Sequence, residues 1–279
     1  MGQLLISYQV SPQRTNGKTF EKVYSNDGAN VIFVGAFYRK NQSEADLYEL
    51  GKSVSSKGFG TLKYSREMSF YNARRRDFNY GAALRQKSDH LLEIVKNTDN
   101  QASFAPFCLI GYGTGSDVIR ESVTQFDKNR RPNAVVVISP LADQLLDMKT
   151  TKRYKTAINS NIPPFIRYSA IKKTFIAPDN PLPKTLKLNW NRTFSRDRFW
   201  VRDSTTMTKW EPDLQIPVLI VMGAQNQMFN KSDVKKSIDL QGILDVKYVE
   251  IDQAGQAVLL EQPDKTRDAV LPFLEEHCR

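Results

Sequence analysis

The sequence predicts an α/β chain built on a mostly parallel sheet with helices over both faces. Short apolar, β-branched runs recur along it ("NVIFVGAF", 30–37; "NAVVVISP", 133–140; "IPVLIVMG", 216–223). A strand covered on both faces reads as such a continuous run rather than as an alternation. Segments with apolar residues at helical spacing lie between the runs, and a strand–helix–strand order favours parallel pairing through helical crossovers.

Taken in order, "LLISYQV" (4–10) and "KTFEKVYSN" (18–26) read as two strands joined by the polar turn "SPQRTNG". After the strand at 30–37, "SEADLYELGKSVSSKG" (43–58) opens on Ser with acids in its first turn and closes on Gly, the punctuation of a helix. "FGTLKYS" (59–65) is the next strand and "YGAALRQKSDHLLEIVKN" (80–97) the next helix. "FAPFCLIG" (104–111) is a strand that stops at a glycine-rich turn, with the helix "DVIRESVTQF" (117–126) beyond it. The strands at 133–140 and 216–223 follow, then a helix at 231–242, a strand at 245–252 and a closing helix at 263–277. The total is about eight strands.

Composition bounds the function classes. A chain of 279 residues with 25% charged residues is ordinary for one large globular unit. No window approaches about 20 uninterrupted apolar residues, so no transmembrane segment is expected. The start, "MGQLLISYQV", lacks the basic and long apolar regions of a secretory signal. Two cysteines, Cys108 in an apolar strand and Cys278, supply neither a disulfide framework nor a metal site. The expectation is therefore an intracellular protein that is not secreted, in the cytoplasm or an organelle such as the mitochondrion, with no cofactor and no metal.

Four motifs carry the chemistry. The strand–turn–helix at "GYGTG" (111–115) has the layout of a nucleophile elbow, G-x-S-x-G, with Gly113 in the serine position. "VIFVGAF" (31–37) resembles the strand and loop that supply an oxyanion-hole amide, with Val34 where a histidine commonly stands. "IPVLIVMGAQNQMF" resembles the segment that carries a catalytic acid, and the acid position is Asn226. "IDQAGQAVLLEQP" resembles the segment that carries the catalytic histidine, and that position is Gln256. In this order the four resemble the α/β-hydrolase superfamily over about residues 1–277. The resemblance implies an α/β-hydrolase fold in which 1–140 and 213–279 form the core and 141–212 a helical or irregular cap inserted over the pocket. It also places Gly35, Ala36, Phe37, Tyr112 and Thr114 at the pocket and the oxyanion loop.

The same comparison removes the family's reaction. A serine hydrolase needs a hydroxyl, a base to take its proton and an acid to orient that base. Gly113 has no side chain, Asn226 carries no charge, and Gln256 is no base near neutrality. The chain has only two histidines: His90, on the helix before the elbow strand, reads as a surface or helix-face histidine, and His277, near the C-terminus, reads as exposed. Thr114 and Ser116 read as caps of the helix after the elbow. Ser139 and Asp143 read as turn residues at a strand end. No catalytic residue is assigned.

The formal net charge of +10 is concentrated in one place. Residues 149–202 carry thirteen Lys and Arg against Asp179 and Asp197, a local charge of +11, interleaved with proline and aromatic residues. Lys152, Arg153, Arg192, Arg196, Arg198 and Trp200 are the candidate contacts for an anionic partner, because guanidinium groups beside flat rings suit phosphate or carboxylate recognition. The function expected is a non-catalytic scaffold or accessory subunit of a larger assembly, with protein subunits as partners and RNA or another anionic partner on the basic cap. A small-molecule-binding module using the retained pocket, or an enzyme with other chemistry, is the alternative.

Overall fold

A computed structural model describes residues 21–23, 30–35, 43–64, 80–99, 106–127, 130–140, 152–153, 156–157, 161–181, 215–228 and 245–279. Its strands are β1 (Glu21–Val23), β2 (Asn30–Val34), β3 (Gly60–Tyr64), β4 (Phe107–Tyr112), β5 (Ala134–Ile138), β6 (Val218–Gly223) and β7 (Val246–Ile251). Its helices are α1 (Ser43–Ser56), α2 (Tyr80–Asp99), α3 (Gly115–Val123), α4 (Pro164–Phe175), α5 (Val258–Glu261) and α6 (Pro263–His277). The strands form one sheet in the order β1-β3-β2-β4-β5-β6-β7. β1 pairs antiparallel with β3, and every other pair is parallel. Seven strands are therefore present among the described residues, against about eight expected. The segment read as the first strand, 4–10, and the helix expected at 231–242 lie outside the described residues.

Two apolar cores sit on opposite faces of the sheet, and the period of two along each strand sorts the side chains between them. Ile32, Val34, Leu109, Val135, Val137, Val218 and Ile220 face the layer of α2, α3 and α4. Val31, Phe33, Cys108, Ile110, Val136, Ile138, Leu219 and Val221 face the layer of α1, α5 and α6. This double burial is why the central strands read as unbroken apolar runs. In β4, β5 and β6 every residue is buried.

Three expectations need correction. His90 is buried where α2 packs inward rather than lying on the surface. His277 is half-buried, with its ring 4.6 Å from that of Phe273. The two cysteines are joined: α6 runs back along the sheet and brings Cys278 to Cys108 in β4, with a Cα–Cα distance of 6.1 Å across a sequence separation of 170. Sequence distance had concealed this proximity, and with the two joined, cysteine usage no longer argues for a reducing compartment.

Candidate functional site

At the elbow, β4 ends at Tyr112, the chain turns at Gly113, and α3 starts at Gly115. Gly113 has φ +55°, in the left-handed region that glycine enters at little cost. The outer glycines serve a different purpose. A Cβ on Gly111 would stand 2.8 Å from the Ser116 Cα, and one on Gly115 would overlap the Val34 carbonyl oxygen. The turn can fold back on α3, and α3 can press on the end of β2, only because those atoms are missing. Two backbone bonds lock it: Gly113 N–H donates to Ile138 O at 3.0 Å, and Ser116 N–H donates to Gly113 O at 3.0 Å. Thr114 stands at the N-cap but makes no side-chain capping bond, and the buried Ser116 hydroxyl has no hydrogen-bond partner among the described residues, so neither performs the capping role read from the sequence.

The ends of β6 and β7 meet the same edge of the sheet. A Cβ on Gly223 would overlap the carbonyl oxygens of Ala254 and Gly255, so glycine lets the loop after β7 close onto β6. Gln225 N–H donates to Ala254 O at 2.9 Å and fixes that approach. Asn226 Oδ1 accepts the Met228 N–H at 2.9 Å, which leaves the Asn226 amide nitrogen facing Gln256. That nitrogen donates to Gln256 Oε1 at 2.7 Å. Gln256 Nε2 in turn donates to Ser139 O at 2.9 Å and to Pro140 O at 3.4 Å. Each amide therefore has its orientation set by a backbone partner. The result is an uncharged chain of hydrogen bonds running from the β6 turn through Gln256 to the end of β5, which is also tied to Gly113.

Glu261 holds this loop from behind. Its Oε1 accepts the Ala177 N–H at 2.7 Å and the Asn180 amide at 2.9 Å, and its Oε2 accepts the Gly255 N–H at 2.8 Å. The residues just past α4 are thereby fastened to the residue preceding Gln256. Ala257 N–H donates to Phe175 O at 3.0 Å and adds to the same junction. Sequence reasoning passed over Glu261 although it stands inside the "EQP" motif. Nothing in its local pattern separates a buckle from an exposed helix acid.

Ser139 and Gln253 are the non-glycine residues with positive φ among the described residues, and Ser139 is the one at the end of β5. Ser139 has φ +48°, is 1% exposed, and its hydroxyl is buried with no hydrogen-bond partner among the described residues. A left-handed non-glycine residue and an unsatisfied buried hydroxyl each cost about 1–3 kcal/mol.

Of the remaining candidates, Gly35 lies against the elbow: its carbonyl oxygen is 2.9 Å from where a Gly115 Cβ would stand. Tyr112 and Thr114 are buried beside it. Lys152 is exposed and Arg153 half-buried. Ala36, Phe37, Arg192, Arg196, Arg198 and Trp200 lie outside the described residues. In the described part of the basic segment, Arg167 on α4 is buried, its Nε donating to Ala157 O at 3.1 Å, and burial pushes its guanidinium below the usual arginine range. No group of metal-ligating side chains is found among the described residues. No helix among them is long and apolar enough to cross a membrane.

The fold recurs in solved structures. A carboxylesterase from Bacillus subtilis is 16% identical, with 93% of this chain and 89% of that one covered and a TM-score of 0.62. A bromoperoxidase from Bacillus anthracis is 15% identical, with 92% and 94% covered and a TM-score of 0.66. An esterase from Exiguobacterium antarcticum is 10% identical, with 92% and 95% covered and a TM-score of 0.65. This chain has the α/β-hydrolase fold. No protein-family profile matches it, and no curated protein does. At such identities the likeness concerns the α/β-hydrolase fold alone, and the chemistry of this site follows from its own residues.

Proposed function

We propose that this chain is a non-catalytic member of the α/β-hydrolase fold that serves as a scaffold or accessory subunit of a larger assembly, with the basic segment 141–212 receiving an anionic partner. The observation that carries the reading is the Asn226–Gln256 amide link at 2.7 Å, in the positions read as acid and base, beside an elbow whose central residue is Gly113. An amide pair holds the loop geometry of an acid–base pair and cannot accept a proton from a nucleophile near pH 7. The solved structures of similar fold include proteins named as esterases. The local charge of +11 in 149–202 supports the anionic partner.

A fluorophosphonate probe separates catalysis from scaffolding. The expected result is no labelling and no turnover of p-nitrophenyl esters. Covalent labelling of a serine or threonine that disappears on heat denaturation overturns the non-catalytic reading. For the partner, the Arg192→Glu, Arg196→Glu, Arg198→Glu triple variant is expected to keep its circular dichroism and to lose co-purification from its native source. Full retention removes these arginines from the interface.

A second reading, a small-molecule-binding module, draws on Ser139. A strained residue with an unpartnered hydroxyl at the strand ends is the kind of outlier that a ligand could satisfy.

A further inference from the structure

The end of α6 is fastened to the central strand and to the turn after α1 by several independent contacts. Cys278, directly after the helix, is bonded to Cys108 on the central strand β4, and both are 0% exposed. The neighbouring Arg279 guanidinium lies 5.5 Å from the centroid of the buried Phe59 ring and donates to Lys57 O at 3.2 Å. Glu275 Oε1 lies 3.6 Å from Lys57 Nζ and 3.7 Å from Arg279 Nη2. The ionic contacts are between exposed side chains, and such pairs contribute little on their own. The sulfur link is the one contact of this group that is both covalent and dry.

Cys108 stands between Val31 of β2 and Ala134 of β5, on the face covered by α1 and α6. A reagent can reach it only after α6 has moved. Cys278 lies beyond the last turn, and helix ends open more readily than helix middles. Access to the link is therefore one-sided.

We propose that Cys108–Cys278 is a redox latch that controls the docking of the end of α6 on the sheet. Closure joins the two thiols with loss of two electrons and two protons to an exchanging disulfide, which departs as two thiols. Release is the reverse with a dithiol. A reagent thiolate attacks Cys278 Sγ, the Cys108–Cys278 bond breaks, and Cys108 leaves as a thiolate and takes a proton. The second reagent thiol then attacks the mixed disulfide, frees Cys278 and closes the reagent's own disulfide. With the latch open, only the Lys57, Glu275, Phe59 and Arg279 contacts and the apolar face of the helix hold the end of α6. Phe273 and Leu274, which are buried in the closed state, become available to solvent or to a partner. The latch is separate from the function proposed above and stands or falls without it.

The test uses the full chain, purified without reductant and with free thiols blocked. Non-reducing peptide mapping is expected to show the Cys108 and Cys278 peptides linked. Dithiothreitol is expected to lower the thermal midpoint by about 5–15 °C, the shift that a long-range disulfide gives in a domain of this size. Backbone amide exchange should rise around residues 274–279 and 57–60, with little change at 223–226. The Cys278→Ser variant should melt at the reduced wild-type midpoint and be indifferent to dithiothreitol. If Cys278→Ser does not fold, the reduced wild type supplies the same comparison. Two alkylatable thiols in unfolded, unreduced protein overturn the latch, and so does a linked protein whose melting and exchange do not respond to reduction.

Discussion

The two sides of the strand-end site are held by opposite devices. On the elbow side, between β4 and α3, close approach depends on atoms that are absent: Gly111 and Gly115 admit neighbouring backbone, and Gly113 takes a left-handed turn. On the far side, between β6 and α5, side chains do the holding, through Asn226, Gln256 and Glu261. The first is steric and tolerates no addition. The second is a polar network and tolerates no deletion. Neither device depends on a nucleophile or a charge relay.

The comparison breaks most sharply at Gly115. Gly115→Ala drives a Cβ into backbone that cannot step aside, and the expected cost is about 3 kcal/mol or more, at the upper end for overpacking. Urea unfolding measures it, and a loss below about 1 kcal/mol would mean that the elbow is looser than its geometry implies. On the other side, Glu261→Ala strands the donors of Ala177, Asn180 and Gly255 and should cost about 2–4 kcal/mol. Glu261→Gln should recover part of that, since one carbonyl acceptor returns.

Asn226→Ala comes next, at about 1–3 kcal/mol, because Gln256 Oε1 loses its donor in a buried site. The double variant with Gln256→Ala should cost clearly less than the sum of the singles, the signature of a direct pair. Neither amide binds a proton between about pH 5 and 8, so this coupling has no pH slope there. Replacing the pair by Asn226→Asp with Gln256→His gives the contrast. The carboxylate raises the folded histidine above its unfolded value of about 6.5. The added stability is then complete below the unfolded value and fades as pH rises through the folded one. A coupling energy for the wild-type Asn226–Gln256 pair that changes with pH in that window would point to a titrating group in the link. The smallest effect is Ser139→Gly. It removes left-handed strain and a stranded hydroxyl while adding freedom to the unfolded chain, for a net gain of about 1 kcal/mol. Destabilisation instead would mean that the hydroxyl is engaged.

How much of this was legible varied with the distance over which the information acts. The strands at β4, β5 and β6 and the helices α1, α2 and α6 were readable, because apolar periodicity and end signals act within a window of a turn or a few residues. The elbow was readable because glycine leaves a local mark. Asn226 and Gln256 could be nominated from their motifs, but their hydrogen bond could not, since it spans 30 residues and depends on Gly223 letting the loop close. Glu261 gave no signal, because its three donors come from two other segments. Thr114 and Ser116 misled: their residue types favour caps, and the packing of α3 against β2 decided otherwise.

By itself, the sequence determined the alternation of strands and helices, the parallel sheet, and the glycine turn with Gly113 in the position read as the serine. These follow from the side-chain period, from β-branched burial and from the lack of a Cβ, all of which are properties of short segments. Only the tertiary structure decided that Cys108 meets Cys278, that His90 goes inside, that two amides tie the turns after β6 and β7 to the end of β5, and that Glu261 buckles the residues after α4 to the loop beside them. Those contacts depend on the path of the chain between distant residues. The sheet fixes that path as a whole, through its strand order and the two faces on which its helices lie.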